Sequence, residues 1–325
     1  MPRAPGFWRE DGAAARLLAP LGAVYGTLAA RRLRRPAPRA ALPTIVVGGL
    51  TTGGDGKTPL VIALAEILAD MGERPALLTR GYGAQARSAA PFVVAVDTAE
   101  RSGDEAPLLA RHGLTILGAD RAASAELARD MGATALILDD GFHSRQLAPD
   151  LAILAIDSDY GAGNGRCLPA GPLRAPLQAQ IDAADAFVTI GDGGAGASIG
   201  GRRPSFTAAI VATGETFAGA RVIAFAGIGR PEKFFRTLTT EGAQIVERRV
   251  FPDHHRFSAR DIAELKAISR RHGAKLVTTE KDAARLPPGA LDVTTLPIRL
   301  VFPDEKAVAS ALAAALRAAR LSRAS

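Results

Sequence analysis

The segment Gly53-Gly54-Asp55-Gly56-Lys57-Thr58 constrains this chain more than any other. It follows Thr44-Ile45-Val46-Val47, a β-branched run that reads as a strand. It precedes Pro59–Asp70, which reads as a helix with Leu60, Ile62, Ala63, Ile67 and Leu68 as its apolar residues. A glycine-rich turn between strand and helix points backbone N–H groups inward, and the helix N-terminus adds a dipole that favours anions. The spacing predicts a phosphate cradle over Thr51, Thr52, Gly53, Gly54, Asp55 and Gly56. Lys57 would reach the β- and γ-phosphates of a nucleotide, and the Thr58 hydroxyl would ligate Mg²⁺. The strict form of such a loop has glycine where this chain has Thr51, and Gly48 and Gly49 come earlier. A glycine-rich turn with an incidental lysine is the plainer alternative. The flanking strand and helix favour the cradle.

A second motif sits where a phosphate loop needs one. Ala135-Leu136-Ile137-Leu138 reads as an apolar strand and ends in Asp139-Asp140. In NTPases a strand of this kind holds Mg²⁺ beside the loop. Adjacent residues of an extended chain point to opposite sides, so the two acids are expected to do different work, one toward the metal and one toward structure. Gly103-Asp104-Glu105 and Phe251-Pro252-Asp253-His254-His255 are weaker signals alone. Asp104 could simply cap a helix starting at Glu105, and the histidines could belong to a turn before a helix at Ser258.

Around these motifs strands and helices alternate. Strands are expected at Pro75–Leu78, Phe92–Val96, Leu114–Leu117, Ala135–Leu138, Leu151–Ile156 and Ala186–Ile190, with helices at Glu105–Arg111 and Ala119–Met131. That is an α/β pattern of P-loop NTPase type, a mostly parallel sheet covered by helices. Past a Gly-, Ala- and Ser-rich loop at Gly191–Gly201, further strands are expected at Phe206–Ala212, Arg221–Ala226, Lys275–Thr278 and Val293–Val301. Helices are expected at Glu232–Glu241, Ser258–His272 and Asp304–Leu321. These predict a second, smaller α/β domain. The 325 residues thus divide into a basic leader over 1–40, a P-loop domain over 41–205 and the smaller domain over 206–325.

Charge is concentrated in the leader. Its eight arginines against Glu10 and Asp11 supply +6 of the net +7, so the globular body is nearly neutral. That distribution argues against a nucleic-acid partner. The lone Cys167 excludes an internal disulfide and a Cys-rich zinc site. Leu17, Leu18, Leu21, Val24, Tyr25 and Leu28 recur at helical spacing, with Phe7 and Trp8 before them and Arg31-Arg32-Leu33-Arg34-Arg35 after. Such a helix suits an anionic membrane surface. It equally suits docking on its own domain, followed by a solvated basic tail. Pro20 predicts that the helix starts or kinks there. A signal peptide fits poorly, because the densest positive charge follows the apolar run. No uninterrupted apolar run reaches the ~18–20 residues of a membrane span.

Taken in order, these segments resemble the tetraacyldisaccharide 4′-kinase family, over almost the whole length. The resemblance is carried by Phe7-Trp8, Leu18-Ala19-Pro20-Leu21 and Tyr25, Gly53 through Pro59, and Thr79-Arg80-Gly81-Tyr82-Gly83. It continues through Gly103-Asp104-Glu105, Asp139-Asp140-Gly141-Phe142, Leu168 through Arg174 and Phe225 through Pro231. Asp253-His254-His255 and Thr278-Thr279-Glu280-Lys281-Asp282 complete it. It implies transfer of the γ-phosphate of ATP, with Mg²⁺, to the 4′-hydroxyl of a tetraacylated glucosamine disaccharide 1-phosphate. The expected partners are that acylated lipid and an anionic membrane surface, at the cytoplasmic face of the inner membrane, with no obligate protein partner. Residue by residue, it implies that Lys57 and Thr58 bind ATP and Mg²⁺ and that Asp139 and Asp140 are the acidic metal-side pair. It makes Asp104 the catalytic base with His254 its partner, and sets Arg80, Tyr82 and Arg174 toward the substrate. This chain departs from the family pattern at Ala106, at His143-Ser144 and at Ala175.

Two other readings compete. One is a P-loop NTPase that delivers metal or localises a partner without a sugar acceptor. That group carries a lysine near the position of Thr52, which this chain lacks. The other is a nucleotide-gated membrane module with no chemistry.

Overall fold

The computed structural model describes residues 5–81, 90–95, 103, 105–196, 198–214 and 216–324. After a 3-10 turn at Gly6–Trp8 come α1 (Ala13–Leu33), β1 (Thr44–Gly49), α2 (Lys57–Asp70), β2 (Pro75–Thr79), β3 (Phe92–Val93), α3 (Glu105–Ala110), β4 (Leu114–Leu117), α4 (Arg121–Asp130), β5 (Ala135–Leu138), β6 (Leu151–Asp157), α5 (Leu177–Ala183) and β7 (Ala186–Ile190). The chain continues through β8 (Ser205–Ala212), β9 (Arg221–Ala226), α6 (Pro231–Thr240), β10 (Gln244–Val250), α7 (Ala259–His272), β11 (Lys275–Thr279), α8 (Glu280–Ala283), β12 (Thr294–Leu296), β13 (Ile298–Val301) and α9 (Glu305–Ala324).

Nine strands form one sheet in the order β13-β8-β7-β6-β1-β5-β2-β4-β3. The pairs from β8 to β4 are parallel, and the edge strands β3 and β13 run antiparallel to their neighbours. Helices cover both faces, so β1 is apolar on both sides. Ile45 and Val47 pack with Leu60, Leu64 and Leu68 of α2 and Leu312 and Leu316 of α9. Val46, between them, packs on the opposite face with Leu136, Leu138 and Leu154. Each fully buried leucine contributes about 1.5–3 kcal/mol. The C-terminal ends of β1 and β5 therefore emerge from a rigid core, and they carry the phosphate loop and Asp139-Asp140.

A second sheet, β10-β9-β11-β12, is parallel throughout and forms a small lobe over 221–296. The segments on either side of it belong to the large lobe: β8 and β13 lie in the nine-stranded sheet, and α9 packs on α2. The chain thus leaves the large lobe after β8 and returns to it, which corrects the expectation of one smaller domain over 206–325. The run Val293–Val301 divides at Pro297, with β12 in one sheet and β13 in the other. Proline has no N–H to give a ladder, and the Pro297 carbonyl instead accepts from the Thr213 N–H at 2.9 Å. The expected strand Phe92–Val96 is two residues long, and Val96 lies outside the described residues. Strand β10 had no sequence signal, because Gln244-Ile245-Val246-Glu247-Arg248-Arg249-Val250 is a half-exposed edge with little alternation.

The leader helix has two different faces. It runs unbroken from Ala13 to Leu33 with Pro20 inside it, rather than starting there. Ala15, Gly22, Gly26 and Leu33 are buried and lie along one side. A Cβ on Gly22 would come within 2.9 Å of the Cys167 carbonyl oxygen, and one on Gly26 within 2.9 Å of the Cys167 sulfur. The opposite side carries Leu17, Leu21, Val24 and Leu28, exposed at 82%, 60%, 62% and 57%. By length and composition this 21-residue helix is apolar enough to cross a membrane, with a mean hydropathy of 1.3 over an 18-residue window. That corrects the expectation drawn from uninterrupted runs, which Arg16 and Pro20 break. The entry into α1 is tied down as well: Trp8 Nε1 donates to the Pro169 carbonyl at 3.0 Å, and Asn164 Nδ2 donates to the Phe7 carbonyl at 3.0 Å.

Gly22→Leu should undock α1, because the added side chain meets rigid backbone. Limited trypsin digestion should then cut faster at Arg31–Arg35, whereas Leu17→Ala should leave the cutting rate unchanged. Equal rates for Gly22→Leu and the parent would mean that α1 does not pack through its small-residue side.

Candidate active site

The phosphate loop is shaped by an acid that the sequence motif does not explain. Asp55 is 1% exposed. It accepts from the Thr51 N–H at 2.8 Å and from the Thr51 hydroxyl at 2.6 Å. Thr51 stands where the strict motif has glycine, and its hydroxyl here braces the loop. Thr52 is held by its N–H to the Pro172 carbonyl at 2.9 Å. Gly53, Gly54 and Gly56 all have positive φ, which a residue with a Cβ adopts at a cost. Lys57 opens α2 and folds back so that its ammonium lies over Gly49; a Cβ there would be 3.1 Å from Nζ.

Asp139 and Asp140 differ in their partners, but not by the alternation of an extended chain: β5 ends at Leu138 and both acids line the same cavity. Asp140 sits at φ 52 and accepts from Arg174 Nη1 at 2.6 Å, while Arg174 Nε donates to the Thr51 carbonyl at 3.1 Å. Burial disfavours the Asp140 charge, but Arg174 and Lys57 outweigh it and hold the carboxyl below the usual range. Asp139 is 4% exposed, and its Oδ1 has no hydrogen-bond partner among the described residues. Burial first, then the charges of Glu105 and Asp140, push its pKa up to about 7. An orphaned carboxylate oxygen lining the same cavity as Thr58 fits Mg²⁺, a hard cation that takes one or two carboxylates plus phosphate and water oxygens. No cluster of three or more His, Cys, Asp or Glu is arranged to hold a metal among the described residues.

Both lobes line a cavity of about 790 Å³ over the loop. Lys57, Thr58, Asp139, Asp140, Arg174 and His254 all face it. His254 has φ 58 and donates its backbone N–H to the Gly227 carbonyl at 3.1 Å, and its Nε2 is 3.9 Å from Asp253 Oδ1. Asp104 and Tyr82 lie outside the described residues; Glu105, next to Asp104, lines the cavity. Arg80 is exposed at the end of β2 and is not among the residues lining the cavity.

Four functional candidates escaped the sequence reading as individual residues. Arg230, at the start of α6, donates to Asp55 Oδ1 and to the Thr51 hydroxyl, both at 2.9 Å, and pairs with Asp157. Lys281, in α8, donates to Glu105 Oε1 at 2.7 Å and to the Thr58 hydroxyl at 3.2 Å, which brings in Glu105 too. Both cations belong to motifs quoted above, but nothing local in the sequence says that they reach the phosphate loop. Arg121 is fully buried with Nε and Nη1 unpartnered among the described residues, and burial pushes its pKa down to about 10. It carries no sequence signal. The departure at His143 also has a structural account: burial, and secondarily Arg174, push it down to about 4. Its Nε2 lies 2.8 Å from Gln180 Oε1, whose amide nitrogen donates to the Ala175 carbonyl at 2.7 Å.

A family model described as tetraacyldisaccharide-1-P 4′-kinase matches residues 14–317. The chain belongs to the tetraacyldisaccharide 1-phosphate 4′-kinase family. It is 45% identical to the tetraacyldisaccharide 4′-kinase of Methylobacterium radiotolerans, over 97% of this chain and 99% of that one. With the enzyme of the same name from Methylobacterium nodulans it shares 48% identity, over 96% of each. The crystal structure of LpxK from Aquifex aeolicus in complex with ATP matches 93% of this chain and 99% of that one, at TM-score 0.73 and 27% identity. This kinase therefore has the P-loop α/β architecture expected of it.

In the ligand-free kinase, Asp139 binds its proton more tightly folded than unfolded. Its ordinary value is 3.8 and its folded value about 7, so stability is lost as pH rises through that window. Asp139→Asn should therefore melt several degrees above the parent at pH 8 and close to it at pH 5, without Mg²⁺ or nucleotide. Coincident melting curves at pH 8 would mean that Asp139 ionises without cost.

Proposed function

We propose that this kinase transfers the γ-phosphate of ATP, with Mg²⁺, to the 4′-hydroxyl of a tetraacylated glucosamine disaccharide 1-phosphate, with the lipid presented at the cytoplasmic face of the inner membrane. The observation that carries this is the facing of Lys57, Thr58, Asp139 and His254 across one cleft in a chain of this family. Lys57 neutralises the β- and γ-phosphates, and the loop from Thr51 to Gly56 cradles them through its N–H groups. Thr58 and Asp139 would hold Mg²⁺, which would supply positive charge against the transferring phosphoryl group. Asp140 instead locks Arg174 against the loop. The acceptor alcohol is a poor nucleophile and needs a base within hydrogen-bond reach. Asp104 takes that role and His254 tunes it from the small lobe, with Arg80 and Tyr82 on the lipid side. The exposed face of α1 and the arginines after it rest on anionic lipid, which suits a substrate that does not leave the bilayer. The metal-delivery alternative has no support among the relatives compared, which carry the kinase name.

Lys57→Ala should lower turnover by at least about 10²–10³-fold while leaving the fold intact, as read by lipid phosphorylation and circular dichroism. Near-normal turnover would remove the phosphate-loop assignment. Asp104→Ala should cost roughly 10²–10⁴-fold and His254→Ala less. The double variant should match Asp104→Ala alone, because members of one unit are not additive. Strictly multiplicative losses would make the two residues independent. Removing residues 1–35 should abolish flotation with anionic liposomes while ATP binding persists; undiminished flotation would move the membrane surface elsewhere.

A further inference from the structure

Lys281 reaches into the metal side of the cleft from the small lobe. Its ammonium bonds Glu105 at 2.7 Å and the Thr58 hydroxyl at 3.2 Å, and its charge acts on Asp139. The backbone beneath it is fixed. Asp282, fully buried, accepts from the Gly227 N–H at 3.0 Å, from the Thr279 hydroxyl at 2.7 Å and from Arg285 at 2.9 Å. Thr278 is tied to the Phe225 carbonyl at 2.8 Å. Only the lysine stem is left to move.

The contact with Thr58 cannot persist once that hydroxyl ligates a divalent cation. An ammonium about 3 Å from the same oxygen would face the ion at a separation where like charges repel by about 2 kcal/mol in water and by several in a partly buried site. The stem must swing, and the anion that arrives with the metal is the end of the polyphosphate. We propose that Lys281 is a catalytic cation delivered by the small lobe to the transferring phosphoryl group, and that its bonds to Glu105 and Thr58 are its resting position. This rests on the assignment of Lys57 and Thr58 to nucleotide binding.

In the transfer, the bond from the γ-phosphorus to the bridging oxygen of ADP breaks as the bond to the 4′-oxygen forms. The acceptor proton leaves to Asp104. Lys281 moves no proton; it stabilises charge on the γ-oxygens, which ADP lacks. Catalysis then needs the small lobe in place for its cation as well as for His254.

The test uses the full chain and titration calorimetry with Mg·ATP and Mg·ADP, without acceptor lipid. Lys281→Met should cut the preference for ATP over ADP about tenfold or more, with ADP affinity within about twofold of the parent. Turnover should fall roughly 10²–10³-fold, and Lys281→Arg should recover part of both losses. ATP and ADP affinities that are unchanged, or that shift equally, would overturn the proposal, as would near-normal turnover; Lys281 would then only fill an acidic pocket. Lys57→Ala serves as the separate control. It should weaken both nucleotides, and if it weakens neither, the phosphate-loop reading fails whatever Lys281 does. Thermal midpoints near the parent value show that each variant is folded.

Discussion

The buried carboxylate of Asp55 holds the loop and the two lobes to one geometry. It lies within the phosphate loop, almost without solvent, and three donors converge on it: the Thr51 N–H, the Thr51 hydroxyl and Arg230. Removing one partner from a buried charged pair typically costs about 3–5 kcal/mol, so neither Asp55 nor Arg230 is free to drift. The same guanidinium pairs with Asp157 at the end of β6 and stacks over Tyr160 at 4.1 Å, whose ring Arg9 also covers at 5.4 Å. Loop, sheet, small lobe and leader thus meet at one side chain. The loop glycine beneath it has no room for more: a Cβ on Gly54 would come within 2.6 Å of the Arg230 stem.

What the sequence made legible was local. The phosphate loop was readable because its chemistry needs a strand, a glycine-rich turn, a lysine and a hydroxyl in succession. The apolar strand into Asp139-Asp140 was readable for the same reason; the different partners of its two acids were not, because Asp140 leaves the extended conformation at φ 52. Arg230, Lys281 and Glu105 were not, because each acts across a lobe boundary at more than 170 residues' separation in the pairs they form with the loop or with one another. Thr51 looked like a defect in the motif until its partner Asp55 was seen. The division of Val293–Val301 turns on Pro297, whose meaning depends on which sheet each half joins.

The leader shows a different limit. Large apolar residues advertise a face, and hydropathy finds them. The face that docks α1 is made of Ala15, Gly22 and Gly26, which have almost no side chain to register, and it works by letting backbones approach. The docked-helix reading describes that side of the cylinder, and the exposed leucines of the other side are what the proposed membrane contact would use.

The way the chain crosses between lobes bears on how they move. One crossing leaves β8 at Ala212, and the other passes from β12 to β13 at Pro297. The two run side by side, joined by the bond from the Thr213 N–H to the Pro297 carbonyl. Two strips of backbone clamped edge to edge act as a strap: they flex readily across their width and resist twisting or sliding along it. The connection therefore permits the small lobe an arc about that strap and opposes other displacements. The backbones that bear Arg230, His254 and Lys281 are thereby carried as one body, and a side-chain swing such as that of Lys281 is the only motion one of them makes alone.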